Sequence, residues 1–320
     1  MYTREELAFQ KRYAFSQLIR NGITTALPIA SLFYRAWGET VQEFEDAAKA
    51  AADLGLRAYL GPAYRTGNQL VEADGRIVTH YDEPRGLAEL DAAIDFARRH
   101  DGAAGGLIRA MLAPDRIETS TAELLRRTAA AARELDIPVR LHCCQSKIEY
   151  DLVLAQHGLS PPEWLESLGF LDERCLLPHG TVVSGSRLID RPGRDLEIIR
   201  DSGASIVHCP LVSGRHGNAI NHFGSYRAMG LNIAMGTDTA PPDMIMNLQV
   251  GMTLSRTMAG NVGAVRSEDY YDAATIGGAD ALRRPDLGRL QPGSRADITV
   301  FDFDRPHSGQ VIDPIQTMML

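Results

Sequence analysis

Apolar positions along the chain follow two alternating periods. Residues 4–20 and 40–54 (TVQEFEDAAKAAADL) place apolar side chains at helical spacing, and Gly55 ends the second run. Residues 86–99 and 120–135 repeat the pattern. Ser120 with Glu123 three positions on has the spacing of a capping box, which predicts a helix start. Between these helices lie short apolar, β-branched runs: ITTALPIA, LRAYLGPAY, GLIRAMLAP, IPVRLHCC, RCLLPHG, ASIVHCP and LNIAMGTD. They predict seven strands, starting at Ile23, Leu56, Gly106, Pro138, Cys175, Ala204 and Leu231. Residues 145–173 read as a helical excursion, with SPPEWLESLG placing prolines at a helix start. Further helices are predicted around 194–201, between Leu211 and Met229, and through the sequence up to about 284.

Strand–helix alternation at this spacing predicts βα units and a parallel sheet covered by helices. IPVRLHC and LNIAMG are almost unbroken apolar runs, as required of strands buried on both faces. The expected fold is α/β, a (β/α)8 TIM-type barrel one strand short. Residues 1–284 form the barrel. Residues 285–320 form a separate segment, in which ADITVFDF alternates with period two and predicts a small β element outside the barrel.

Composition narrows the partners. The chain has 320 residues, 44% apolar and 23% charged, enough apolar sequence to bury a sizeable core. A net charge of −8 argues against nucleic acid or an anionic membrane as partner. No run of 18 uncharged apolar residues predicts a membrane span, and the charged amphipathic start MYTREELAFQKRY lacks a secretory h-region. Cys143, Cys144, Cys175 and Cys209 show no CxxC spacing. A disulfide framework is not expected, and a reducing, cytoplasmic setting is.

Candidate chemistry gathers at the C-terminal ends of the strands, where barrels collect catalytic residues. His142, His179, His208 and Asp238 end the fourth to seventh predicted strands in turn. A lone histidine in a strand is more often structural. The recurrence of such groups at equivalent ends favours a site for a divalent metal with N and O ligands. Cys143, Cys144 and Cys209 are expected to pack in the core. His216 and His222 follow the sixth strand and are expected at the surface, while His80, His100, His157 and His307 are given no role. Arg109, within GLIRAML, is a candidate substrate contact on the rim. Tyr64, Arg65, Ser213 and Asn218 are weaker ones.

RLHCCQ, LLPHG, VHCPLVS and MGTDTA, in that order, resemble the amidohydrolase superfamily, in the branch of triazine chlorohydrolases and of guanine and S-adenosylhomocysteine deaminases. NGITTALPI and GLRAYLGPAY resemble its second and third barrel strands, and ATIGGADALRRPDLGRLQPGSRADITVFD its exit from the barrel into a small β-sandwich. The resemblance implies hydrolysis of a C–N or C–Cl bond of a small, heterocyclic substrate. One divalent metal ion, zinc before iron, would activate a water. His142 and Asp238 would ligate it, with Asp238 also taking a proton. His179 would orient the water and substrate, or ligate in two-metal relatives. His208 and Gln145 would contact substrate, and a homodimer is implied.

Two features depart from that pattern. Deaminase-like members carry Glu three residues after the fifth-strand histidine to move a proton to the leaving group. Gln145 stands there, an amide that hydrogen-bonds but cannot titrate. Glu149 is expected to lie beyond reach of the site. No His-x-His, the family's first-strand ligand pair, occurs in the chain. The chain is therefore expected to be truncated at both ends relative to the family, lacking the first barrel strand and most of the sandwich. The alternative is a short, catalytically inactive paralogue acting as a binding or partner subunit. A Schiff-base enzyme on the same barrel is disfavoured, because Lys11, Lys49 and Lys147 are the only lysines and none ends a strand.

Overall fold

A computed structural model describes residues 2–29, 39–220, 223–304 and 309–319. The last residue of the ITTALPIA run, together with His222 and His307, lies outside them. The strands are β1 (Thr25–Ala26), β2 (Arg57–Leu60), β3 (Ala63–Tyr64), β4 (Gly67–Val71), β5 (Ile77–Tyr81), β6 (Ile108–Ala110), β7 (Ala113–Pro114), β8 (Val139–Arg140), β9 (Cys175–Pro178), β10 (Ser205–His208) and β11 (Asn232–Met235).

The pairing is parallel and runs in chain order. β1 pairs with β2 and β2 with β6, while β3 and β7 continue the last two strands and pair with each other. A bridge between Leu112 and Val139 carries the ladder on to β8, β9, β10 and β11. The register is kept throughout, with Val139 opposite Cys175 and Ser205 opposite both Leu176 and Asn232. Each new strand docks beside the last, with the intervening helix covering the sheet. This is how successive right-handed βαβ units curl a sheet into a barrel.

Local sequence explains the covering helices. Thr40 and Glu43 form a reciprocal capping box at the start of Val41–Leu54, and Gly55 closes that helix in the left-handed conformation. Its Phe44, Ala47, Ala48 and Ala51 face Leu56, Ala58 and Leu60 of the sheet, with Phe15 and Phe96 alongside. Alanines let the helix approach the strand closely, and Phe44 adds about 2–3 kcal/mol of apolar burial. Helix Arg4–Arg20 packs on this helix, with Arg4–Asp46 and Arg12–Asp53 ion pairs between them.

Three expectations need correction. The helix at 120–135 is Ala122–Leu135, capped by Thr121, whose hydroxyl accepts from the Leu124 N–H. Glu123 then falls one position short of closing a box on that cap. Ser120 instead donates to the Arg116 carbonyl. Second, β4 and β5 form an antiparallel hairpin through Asp74-Gly75 that the sequence reading passed over. It rises beyond β3 and ties to helix Lys147–His157 through Tyr81 and Gln156. Third, ADITVFDF forms no ladder among the described residues. Asp297 pairs with Arg57 at 2.7 Å and the Thr299 hydroxyl donates to the Gly22 carbonyl, while Ile298, Val300 and Phe301 are exposed. Period-two patterning makes a strand only where a neighbour takes up the backbone groups. Among the described residues no helix is long and apolar enough to cross a membrane.

Gly61 lets two strands cross closely at the junction of β2 and β3. A Cβ there would lie 2.0 Å from the Met111 carbonyl oxygen, a clash with backbone that no rotamer relieves. We expect Gly61→Ala to destabilise the chain by about 2 kcal/mol or more in urea unfolding, from overpacking of a close-packed interior. An unchanged midpoint would refute this account of the junction.

Candidate active site

The rim at the C-terminal ends of the strands brings the polar residues together in strand order. Arg65 follows β3, Asp115 and Arg116 follow β7, His142 follows β8, His179 follows β9, His208 ends β10 and Asp238 follows β11. His179 (φ 85°) and Asp238 (φ 50°) both adopt left-handed backbone, a costly conformation for non-glycine residues. These sharp turns place His179 Nε2 and Asp238 Oδ2 3.9 Å apart. His179 is buried, and its Nε2 has no hydrogen-bond partner.

His142 is anchored from behind. Its Nδ1 lies 2.6 Å from the Asp115 carbonyl oxygen, which can only accept, so Nδ1 carries the proton and Nε2 is left as a donor of electrons. Its ring stacks on that of His179 with centroids 5.6 Å apart. His208 packs elsewhere, its buried ring lying against Phe223 and Tyr270. Burial pushes the His179 imidazole down to about 3, helped by the Arg116 charge and His216. Burial takes His208 to about 3 as well, and His142 well below its ordinary value, with Arg140 contributing there. All three are neutral at pH 7, the form in which imidazole binds metal. Burial raises the Asp238 carboxyl, against the pull of Arg116, Arg140 and His216. A carboxylate made more basic in this way is better suited to taking a proton.

Cys209 joins this set. Among the described residues, donor atoms of His179, Cys209 and Asp238 all lie within 4.8 Å of one another. The unpaired, neutral His179 nitrogen facing a carboxylate and a sulfur fits a divalent cation of borderline softness.

Gln145 sits at the edge of the site, where Arg116 Nη1 donates to its Oε1 at 2.6 Å. Glu149 is turned under it. Its carboxyl accepts from the backbone N–H of Cys144 (2.5 Å) and of Gln145 (3.0 Å). Burial and the neighbouring Glu118 push it up to about 8. Arg109 is not brought to the rim. Its Nε donates to Asp101 at 2.7 Å, and Asp101 also takes the Ala110 N–H from the loop that precedes β6. His216 bonds the Val212 carbonyl within its own turn and is exposed.

Sequence reasoning passed over Asp115, Arg116 and the orientation of Cys209. Asp-Arg directly after the strand-ending Pro114 was the available signal for the first two, since side chains immediately beyond a barrel strand line the rim.

Fold and rim together define a parallel βα-barrel protein with its site at the C-terminal strand ends. Residues 2–319 match the model of the Amidohydrolase family, and the chain belongs to that family. It is 30% identical over 308 residues to the 5-methylthioadenosine/S-adenosylhomocysteine deaminase of Halobacterium salinarum, covering 95% of this chain and 64% of that protein. It is 28% identical over 325 residues to the 8-oxoguanine deaminase of Pseudomonas aeruginosa, covering 99% and 69%. An atrazine chlorohydrolase of Arthrobacter aurescens, crystallised with zinc and atraton, superposes with a TM-score of 0.84 at 22% identity, over 100% of this chain and 69% of that one. The chain thus spans 64% of the length of the first of these relatives.

The buried imidazoles make a stability prediction. An unfolded histidine binds its proton near pH 6.5 and folded His208 only near 3, so acid favours the unfolded chain below about pH 6.5. Between pH 7 and pH 5 this costs the folded state about 2 kcal/mol. His208→Gln removes that dependence. In urea unfolding the difference in stability between variant and wild type is expected to move about 2 kcal/mol towards the variant over that interval. A difference constant with pH would show that His208 titrates normally in the fold.

Proposed function

We propose that this barrel hydrolyses a C–N or C–Cl bond of a small heterocyclic substrate, using water and one divalent cation, zinc before iron. The observation that carries the proposal is the unpartnered, neutral His179 Nε2 held 3.9 Å from the Asp238 carboxylate, on rim turns that flank the end of β10. His179 and Asp238 would hold the cation, with His142 Nε2 on the neighbouring turn. The cation, when bound, supplies Lewis acidity that brings the pKa of water towards about 7.

The remaining work falls to the chain's own groups. Asp238, its carboxyl raised by burial, accepts the proton of the attacking water. His179 and the anchored His142 fix the direction of attack. Gln145 spends its amide oxygen on Arg116, so its NH2 group is left to donate to a ring nitrogen or to the departing group. It supplies no titratable proton. A group that leaves as an anion, such as chloride, is served without one, whereas an amine is not. Support for a C–N bond comes from the deaminase relatives, and for a C–Cl bond from the structural likeness to a chlorohydrolase. The family resemblance also supports a barrel over residues 1–284, room for a further strand between β11 and β1, a homodimer and a cytoplasmic setting. The absence of His-x-His from the sequence favours a second reading, an inactive chain that binds a small molecule or a partner subunit.

Metal analysis of the purified chain, with chloride and ammonia release from a matched chloro- and amino-substituted s-triazine pair, separates the two. We expect bound zinc and faster chloride release. Asp238→Asn should lower kcat by about 10²–10⁴, the usual worth of a general base. Gln145→Glu should raise ammonia release by about 10² while changing chloride release little. A chain that binds no metal and releases neither product would establish the inactive reading.

A further inference from the structure

We infer that Cys209 is a further protein donor to the cation, joining His179 and Asp238 in a cluster built on three consecutive strand ends. This rests on the proposal above that the rim holds a divalent cation, and it changes the chemistry of that site by adding a thiolate to it.

Three observations converge. The first is placement. β9, β10 and β11 are neighbours in the ladder, with Val207 opposite Pro178 and His208 opposite Met235. The residues just past their ends therefore meet over one patch of the rim. His208 and Cys209 are consecutive, and side chains of consecutive residues at a strand end point to opposite sides. His208 takes the side facing Phe223 and Tyr270, which leaves Cys209 the side facing His179 and Asp238. The second is proximity. Nitrogen, sulfur and carboxylate oxygen lie within 4.8 Å of one another. In a tetrahedral zinc site, bonds of about 2.0–2.3 Å put neighbouring donors roughly 3.3–3.8 Å apart, so closure needs shifts of at most about 1.5 Å.

The third is that the groups are held ready without satisfying each other. The His179 side chain is 99% buried by its 1% exposure, and its Nε2 has no partner. The sulfur makes a weak contact to the Val207 carbonyl at 3.6 Å. Gly236 makes room for that sulfur, because a Cβ there would lie 2.8 Å from it. The other sulfurs nearby are engaged differently, with Cys143 and Cys144 in contact at 3.6 Å.

A thiolate and a carboxylate together neutralise a divalent cation. The set selects zinc, cobalt or cadmium over magnesium and calcium, because thiolate ligands favour softer ions. Binding releases the thiol proton to solvent as the metal–sulfur bond forms. With His142 Nε2 the protein donors would number four, so water or substrate would enter as a fifth ligand.

The test is optical and does not depend on turnover. The full chain is loaded with Co²⁺, and near-ultraviolet absorption is read for thiolate-to-cobalt charge transfer. We expect one cobalt per chain and a charge-transfer band that Cys209→Ser abolishes and Cys143→Ser retains. Cys209→Ser should also weaken cobalt binding by at least roughly tenfold, since ligand count and preorganisation set affinity. X-ray absorption of the zinc-loaded wild type gives a check that needs no variant to fold, with a sulfur scatterer expected at about 2.3 Å. Stoichiometric cobalt without a charge-transfer band, or a band that survives Cys209→Ser, would overturn the inference and leave the cation site standing. A chain that takes up no cobalt would overturn both.

Discussion

The parallel register of β8 to β11 is the constraint on which the site depends. Because these strands pair in chain order without slippage, the residues around their C-terminal ends gather on one rim. The bridges Arg116–His142 and Cys143–His179 extend that order one to three residues past the strands. Functional side chains separated by 30 to 60 residues of covering helix then meet without any segment reaching for them. A one-residue slip in β10 would exchange His208 and Cys209 between the aromatic layer and the rim. Register, more than any single contact, decides which of the two meets His179.

Burial on that rim has an electrostatic cost that the surrounding residues absorb. Arg140 is enclosed within the barrel, where it donates to the Pro28 carbonyl and feels Glu39, Asp115 and Asp238. Arg65 lies 3.5 Å from Asp115. Desolvation raises the carboxyls of Asp115 and Glu118 and lowers the imidazoles, so each group is pushed towards its neutral form. Paired charges tolerate this and isolated ones do not. The imidazoles escape by staying neutral, which is also the form in which an imidazole binds metal. The same desolvation that makes the rim expensive therefore prepares it for a cation.

Much of this was readable in the residues because barrel strands carry strong local signals. β2, β9, β10 and β11 fall inside the apolar runs, and Thr40, Gly55 and the Pro161-Pro162 start mark helix ends that the structure reproduces. His142, His179 and Asp238 were visible because they recur at strand ends. Failures came where the deciding partner was distant in sequence. Val300 alternates like a strand residue but has no neighbouring strand in the described chain, and Arg109 sits in a rim-bearing strand yet is claimed by Asp101 at the other end. Cys209 was assigned to packing as a strand residue, and it is buried, but its sulfur also lies beside His179 and Asp238. Only the tertiary register shows that the sulfur, not that imidazole, faces His179. The β4–β5 hairpin is a different case, since Asp74-Gly75 ahead of the β-branched run Ile77–Tyr81 was a local turn signal.

The turn after His142 shows why the replacement at Gln145 reshapes the chemistry rather than merely weakening it. Glu149 does not substitute for the missing carboxylate, because both of its oxygens are occupied by the backbone N–H groups of Cys144 and Gln145. It fixes the turn on which Gln145 is carried. The Arg116 guanidinium beside it donates to the Gln145 amide oxygen at 2.6 Å and lies 3.9 Å from the Glu118 carboxylate. The edge of the site then presents only N–H donors, from an arginine that keeps its proton and an amide that has none to give. Donors of this kind stabilise negative charge as it develops on a departing atom. They do nothing for an amine, which must be protonated before it can leave. On the proposed reading, an amide rather than a carboxylate at position 145 would serve a departing anion better than a group that needs a proton.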